Sequence, residues 1–366
     1  MLWPSILATD LGGLALGAWL LFRGGARARS WTSDIGRLLA LSAVLLGGAV
    51  LAGDVSGGGF LTLRLACHAL FCVLAPLAIA RGIQRRGAIG WVAVALGLAA
   101  EGAYVWAREV EPHRLEVTRH ELVSERLLGR TTPLRVAVLS DLQNDDLGAF
   151  EERVFSELDA LAADLVLIPG DLMQLRPDDT PERHARERAK LRALFASVRR
   201  PRLGFLMVPG DCEPVGASFE DCGVRLLEDE TVVFAEERVQ VIGLSRESSR
   251  WPRGEHFLDA ARTFSGLTIV FGHAPEFTLA AADAGVPLLC LAGHTHGGQV
   301  QLPFFGPPMT LARVPRSLAA GGLHRLGDAW VCVSRGLGME RNLAPRIRFL
   351  CRPELVVFDL AAASPP

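Results

Sequence analysis

The first 107 residues constrain this chain most. Four apolar segments follow one another there: about Trp3–Phe22, Leu38–Leu51, Phe60–Ala80 and Ala88–Trp106. The first, third and fourth approach the roughly 20 residues needed to cross a bilayer. The second is shorter and contains glycine. A cleaved signal peptide fits poorly, because Met1-Leu2-Trp3-Pro4 lacks a basic stretch and three more apolar segments follow. The expectation is a four-helix transmembrane region over 1–107. The loops between the segments differ in charge. Arg23, Arg27 and Arg29 lie in the first, and Arg81, Arg85 and Arg86 in the third, while the second has no basic residue. Basic loops stay in the cytoplasm, which puts everything after Trp106 outside it. A multi-pass membrane protein with an extracytoplasmic globular domain is therefore expected. Isolated charges in a bilayer are costly, so Arg64 and Glu101 are expected to pair, joined by Asp10.

Residues 108–133 turn charged and read as a linker with a short hairpin, Leu115–Thr118 against Glu121–Val123. Residues 134–366 read as the globular domain. The net charge of the chain is −2, so nothing favours a nucleic-acid partner. The seven cysteines contain no Cys-x-x-Cys pair, which excludes a zinc ribbon or thioredoxin-type motif. Cys212 and Cys222 are either bridged across their loop or two free thiols.

Five apolar runs in this domain end in residues that bind metals. Leu134–Leu139 ends at Asp141, Leu165–Ile168 at Asp171, and Leu203–Val208 at Asp211. Leu267–Phe271 ends at His273, and Val286–Leu291 at His294 and His296. Such runs read as buried strands, and open α/β sheets place their sites where strands end. Carboxylates and imidazoles delivered to one sheet edge form a metal-site constellation. Helices are expected at about Phe150–Ala163, at Pro181–Val198, and after His273 to about Ala284. Further strands are expected at Thr231–Phe234 and Val239–Leu244, which pair as a hairpin, and near Val300–Leu302, Ala329–Val333, Ile347–Cys351 and Leu355–Leu360.

In order and spacing, Asp141-Leu142-Gln143, Gly170-Asp171, Gly210-Asp211-Cys212-Glu213, His273 and Gly293-His294-Thr295-His296-Gly297-Gly298-Gln299 resemble the calcineurin-like metallophosphoesterases. The likeness covers roughly Leu134 to Leu360. It is closest to a membrane-anchored bacterial branch, through Ser334-Arg335-Gly336-Leu337-Gly338 and Arg348–Glu354. The resemblance implies an α/β fold with a two-sheet β-sandwich flanked by helices. It also implies two divalent metal ions, drawn from Mn, Mg, Fe or Zn, and metal-dependent hydrolysis of a phosphoester. Asp171 would bridge the metals. Asp141, Gln143 and His296 would hold the first, and His273, His294 and Asp211 the second. Asp211, Cys212 and His294 would carry the catalytic roles.

The motifs depart from the family pattern. Gln143 stands where histidine is usual, and an amide oxygen favours harder ions than Zn. Asp211 replaces asparagine and adds a charge. Cys212 replaces the histidine that contacts phosphate and helps to protonate the leaving group, a role commonly worth ~10²–10⁴-fold. Asp145, Asp146 and Glu213 are the nearest alternative proton donors. Two functions follow. One is hydrolysis of a phosphodiester or a pyrophosphate-linked small molecule or lipid. The other is a catalytically weak metal-binding domain that recognises a phosphorylated ligand. Surface charge is expected of Arg335, Arg341, Arg346 and Arg348, and His113, His120, His184 and His324 read as solvated. The loop Glu247–Phe257, with Trp251 and His256, is expected to overhang the site.

Overall fold

A computed structural model describes residues 59–85, 87–175, 179–250, 256–340 and 344–363. The chain divides into two compact units. The first runs to Glu109 and takes in Glu340–Arg346; the second is Val110–Met339 with Ile347–Pro366.

Two described helices, Phe60–Arg85 and Ala88–His113, are each 26 residues long and apolar enough to cross a membrane. Trp91, Leu96 and Leu98 are exposed. A soluble core helix would bury such side chains. The helices approach closely through small residues. A Cβ at Gly82 would lie 2.3 Å from the Gly90 carbonyl oxygen, so only glycine permits this contact. The first two expected spans, and Asp10 with them, lie outside the described residues. Of the expected Arg64–Glu101 pair, Glu101 Oε1 is buried without a hydrogen-bond partner.

The second unit is built on two six-stranded sheets. The first holds β1 (Glu116–Ser124), β2 (Leu134–Val138), β3 (Leu165–Ile168), β4 (Phe205–Met207), β5 (Val224–Leu226) and β12 (Glu354–Ala362), in the order β1-β12-β2-β3-β4-β5. The second holds β6 (Glu230–Phe234), β7 (Val239–Gly243), β8 (Leu267–Gly272), β9 (Leu288–Ala292), β10 (Gly322–Leu326) and β11 (Ala329–Val333), in the order β10-β11-β9-β8-β7-β6. Strands β2 to β5 run parallel, as do β7, β8, β9 and β11.

Alternation along the strands explains the layers. In β2, Val136 and Val138 join Val241, Ile269, Phe271 and Leu289 in a core between the sheets. Ala137 and Leu139 point the other way, onto helices α1 (Ala149–Leu161) and α2 (Pro181–Ser197), through Val154, Phe155, Leu158, Leu191 and Phe195. The outer face of the second sheet is covered by α4 (His256–Thr263) and the turn Pro275–Asp283, through Phe257, Leu258, Phe277 and Ala281. Strands buried on both faces read as unbroken apolar runs, which is why they were legible.

Several expectations change. Residues 115–123 form no hairpin. They make one strand, β1, parallel to β12, because its partner arrives from the far end of the chain. Val300 and Phe349 form an isolated bridge rather than two strands. Strands β5 and β10 are additional. Residues 275–283 are 3₁₀-helical. Cys212 and Cys222 are both free thiols.

The antiparallel β6–β7 turn carries Glu237, paired with both Arg130 and Arg202. The hydrogen bond from Arg202 holds the Glu237 carboxyl below its usual value, against the opposing effect of burial. A depressed carboxyl stabilises the fold above the unfolded value of roughly 4.3, and that contribution fades as pH falls through the folded value. Urea midpoints measured from pH 6 to pH 3 should therefore fall less steeply in Glu237→Gln than in the parent chain.

Candidate metal centre

The ends of β2, β3, β4, β8 and β9 deliver the side chains of the centre. Asp141, His273 and His296 are almost fully buried, as are Gln143 and Asp171. Asp141, Gln143, Asp171, His294 and His296 all adopt positive φ, between 45° and 70°. Left-handed backbone at a non-glycine residue costs of order 1–3 kcal/mol, and such strain gathers at functional sites. Here it lies on five of the seven expected ligands.

Backbone contacts fix the carboxylates. The His294 N–H donates to Asp141 Oδ1 at 2.9 Å, and Ser140 Oγ donates to Asp141 Oδ2. The Cys212 N–H donates to Asp171 Oδ1 at 2.8 Å. A Cβ at Gly210 would meet Asp171 Oδ1 at 2.1 Å, so glycine is required there. Glu213 ties two loops together. Its carboxylate accepts the N–H groups of Asp171, Leu172 and Gly210 at 2.8–2.9 Å. These bonds position Asp171, and burial lifts the Glu213 carboxyl to about 7, a value that suits the expected proton donor. Asp146 is exposed and paired with Lys190 at 3.2 Å. Asp145 is half-buried, and its carbonyl accepts a hydrogen bond from Arg183.

Two groups of potential ligand atoms result, each within 4.8 Å: Asp211, His273 and His294, and Asp141, Asp171 and His273. His273 belongs to both, whereas the resemblance gave the shared position to Asp171. His273 Nδ1 sits 2.8 Å from the Pro169 carbonyl oxygen, to which it must donate. Its Nε2 then faces Asp171 Oδ2 at 3.5 Å and His294 Nδ1 at 3.2 Å. Fixing one ring nitrogen in this way orients the other toward a metal. His296 Nδ1 is buried without a hydrogen-bond partner, and it would lie 3.2 Å from a Cβ placed at Gly336, as would Asp141 Oδ2. Gln143 packs beside them, with its Nε2 donating to Cys212 Sγ at 3.4 Å.

The electrostatics call for positive charge. Burial lifts the Asp141 carboxyl to about 6, with Asp171 adding to the lift. Burial opposes charge on His273, but Asp171, Asp141 and Asp211 hold its pKa up at about 9. A proton on His273 thus balances the carboxylates, and a cation bound there must displace it. Burial and the neighbouring His273 lower His294 to about 4, and burial with Arg348 keeps His296 neutral. Neutral imidazoles and an orphaned ring nitrogen are what a divalent metal requires. The donor set therefore fits the group.

Sequence reasoning missed two arginines on α3 (Arg246–Arg250). Arg250 Nη2 lies 2.7 Å from Asp211 Oδ2 and 3.2 Å from His294 Nε2. Arg246 donates to the Gly210 and Glu213 carbonyls. Neither stands in a motif, so only the expected overhang of Glu247–Phe257 hinted at them. Trp251 and the His256 side chain lie outside the described residues. Arg348 is not surface charge: it is fully buried. Arg335 is bound to Glu354 at 2.7 Å and Glu116 at 3.1 Å. Arg346 is exposed, and Arg341 is outside the described residues. His113 and His184 are exposed; His120 is half-buried against Phe358, and His324 half-buried near the Gly321 carbonyl.

Two parallel-rich sheets flanked by helices, with Asp/His groups at the strand ends, fit the fold of calcineurin-like metallophosphoesterases. The chain is similar to an uncharacterized metallophosphoesterase of Bacillus subtilis, YkuE, with 29% identity over 73% of this chain and 93% of the relative. It is also similar to the phosphodiesterase YaeI of Escherichia coli, with 28% identity over 40% of this chain and 51% of that protein. These relatives support the calcineurin-like metallophosphoesterase superfamily for this chain, and that superfamily implies divalent metals. No family model matches. A solved structure aligns over 55% of this chain at 10% identity and a TM-score of 0.32, which adds nothing to the fold.

Proposed function

We propose that this chain hydrolyses a phosphodiester or pyrophosphate-linked substrate at a two-metal centre. The observation that carries the reading is the convergence of Asp141, Asp171, Asp211, His273 and His294 from five strand ends into two groups within 4.8 Å. Asp141, Gln143, Asp171 and His296 serve one metal, and Asp171, Asp211, His273 and His294 the other. Metals so held would polarise a phosphoryl oxygen and supply the nucleophile. The relatives' names, a metallophosphoesterase and a phosphodiesterase, point the same way.

The chain's own residues set the substrate. Arg250, beside Asp211 and His294, offers a fork of donors to a non-ester phosphate oxygen. Burial first, and Asp171 next, drive the Cys212 thiol above its usual value, which makes it a weaker acid than the histidine it replaces. The site therefore suits esters whose leaving group departs without a strong proton donor. The same thiol favours the second reading, a metal-binding domain with weak catalysis.

The domain assignment proposed is a membrane region over 1–107, a connection over 108–133 and the hydrolase over 134–366. The two apolar helices support membrane association. The basic loops support multi-pass insertion with the hydrolase outside the cytoplasm. Hydrolysis of bis-(p-nitrophenyl) phosphate with Mn, Mg, Fe or Zn supplied should exceed that of His294→Ala at least about tenfold, given the size of effects at positioned ligands. Equal rates would favour the weakly catalytic reading.

A further inference from the structure

A turn of exposed apolar residues follows the His-x-His motif directly. It runs from Gln301 to Met309 and is clamped to the centre. Gln301 Nε2 donates to the Gly297 carbonyl at 3.2 Å and to the Ala320 carbonyl at 2.7 Å. The Gln301 N–H donates to Phe349, and the Leu302 N–H to Gly306, each at 2.9 Å. Pro307 packs so tightly on Gly298 that a Cβ there would sit 2.4 Å from Pro307 Cβ.

The tip of this rigid turn is apolar and faces outward. Phe304 is fully exposed and is held at φ 64°. Leu302, Phe305 and Leu350 are exposed near it; Leu350 follows Phe349, which bridges to Val300. A bulky residue in left-handed backbone is strained, and an aromatic ring in water gains nothing from burial. The molecule thus bears both costs without an internal return. Contiguous exposed apolar residues of this kind mark an interaction surface.

Charge identifies the partner. The Arg316 guanidinium lies over the Phe305 ring, 4.3 Å from its centroid. A ring capped by a guanidinium matches the boundary between acyl chains and phosphate headgroups. There aromatic side chains settle, and arginine pairs with lipid phosphate. The same chain has two helices apolar enough to cross a membrane.

We propose that the Leu302–Phe305 turn docks on an anionic lipid bilayer, with Phe304 and Phe305 at the acyl boundary and Arg316 on headgroup phosphate. Docking brings the adjoining centre to phosphoesters carried by lipids, a consequence that rests on the hydrolytic reading. The docking itself does not.

The test uses the full chain in bacterial membranes, with the photo-crosslinking residue p-benzoylphenylalanine placed at position 304. The comparison chain has the probe at position 215, where Val215 is fully exposed. Irradiation should attach phospholipid to the 304 peptide several-fold more than to the 215 peptide, and Arg316→Glu should reduce the yield at 304. Equal yields at both positions would overturn the proposal. So would adducts at 304 to a second copy of the chain or to another protein. Turnover of soluble bis-(p-nitrophenyl) phosphate by Phe304→Ser should match the parent. Absence of turnover in both chains would count against hydrolysis and leave the lipid adduct to decide docking alone.

Discussion

Asp171→Asn is expected to lower turnover roughly a thousandfold or more while leaving the fold intact. The substitution keeps the shape of the side chain, and its oxygen still accepts the Cys212 N–H that Asp171 Oδ1 accepts at 2.8 Å. What it removes is the charge at the middle of the cluster. Metal charge stabilisation of a phosphoryl transition state is worth several kcal/mol, and each 1.36 kcal/mol is about tenfold in rate. The metal-free protein should be no less stable than the parent. Asp171 helps to raise the pKa of Asp141 and Glu213, a repulsion that offsets its attraction for the proton on His273. Activity and thermal midpoint, measured on the same preparation, check both halves. A fall in midpoint together with activity would mean that Asp171 is structural.

Arg348→Met should destabilise the globular unit by about 1–3 kcal/mol or more, the cost of leaving buried acceptors unsatisfied. Arg348 is fully buried, and its guanidinium donates to the carbonyls of Arg335, Gly336, Gly338 and Cys351 at distances up to 3.1 Å. Methionine fills the stem and leaves those carbonyls without their donor. The same loop supports the centre. The Leu337 N–H donates to the Ser140 carbonyl at 3.0 Å, and the Gly338 N–H to the Asp141 carbonyl at 2.7 Å. Activity should therefore fall along with the urea midpoint, unlike in Asp171→Asn. An unchanged midpoint would mean that the loop holds without Arg348.

These two residues show what the sequence could reveal. Asp171 was legible because it ends an apolar run, and a strand buried on both faces announces itself in composition. Asp141, Asp211, His273 and His294 were legible for the same reason. Arg348 was not, because an arginine in a loop looks like surface charge until the carbonyls around it are known. Arg250 was missed likewise: α3 has no motif, and its reach to Asp211 depends on how β7 delivers the chain. Glu213 was seen as a nearby acid, and three backbone donors also use it as a clamp. The pairing of β1 with β12 spans more than two hundred residues, and no local pattern encodes it. His273 lies in both groups of potential ligand atoms, and its fixed Nδ1 could not be read from spacing.

The most direct test of the central claim is the metal content of the purified full chain by mass spectrometry, with His296→Ala measured beside it. Two divalent ions per chain are predicted for the parent and about one for the variant, because on the proposed assignment His296 serves only the metal that Asp141 also holds. Less than one ion per chain in the parent, after any of Mn, Mg, Fe or Zn is supplied, would contradict the account.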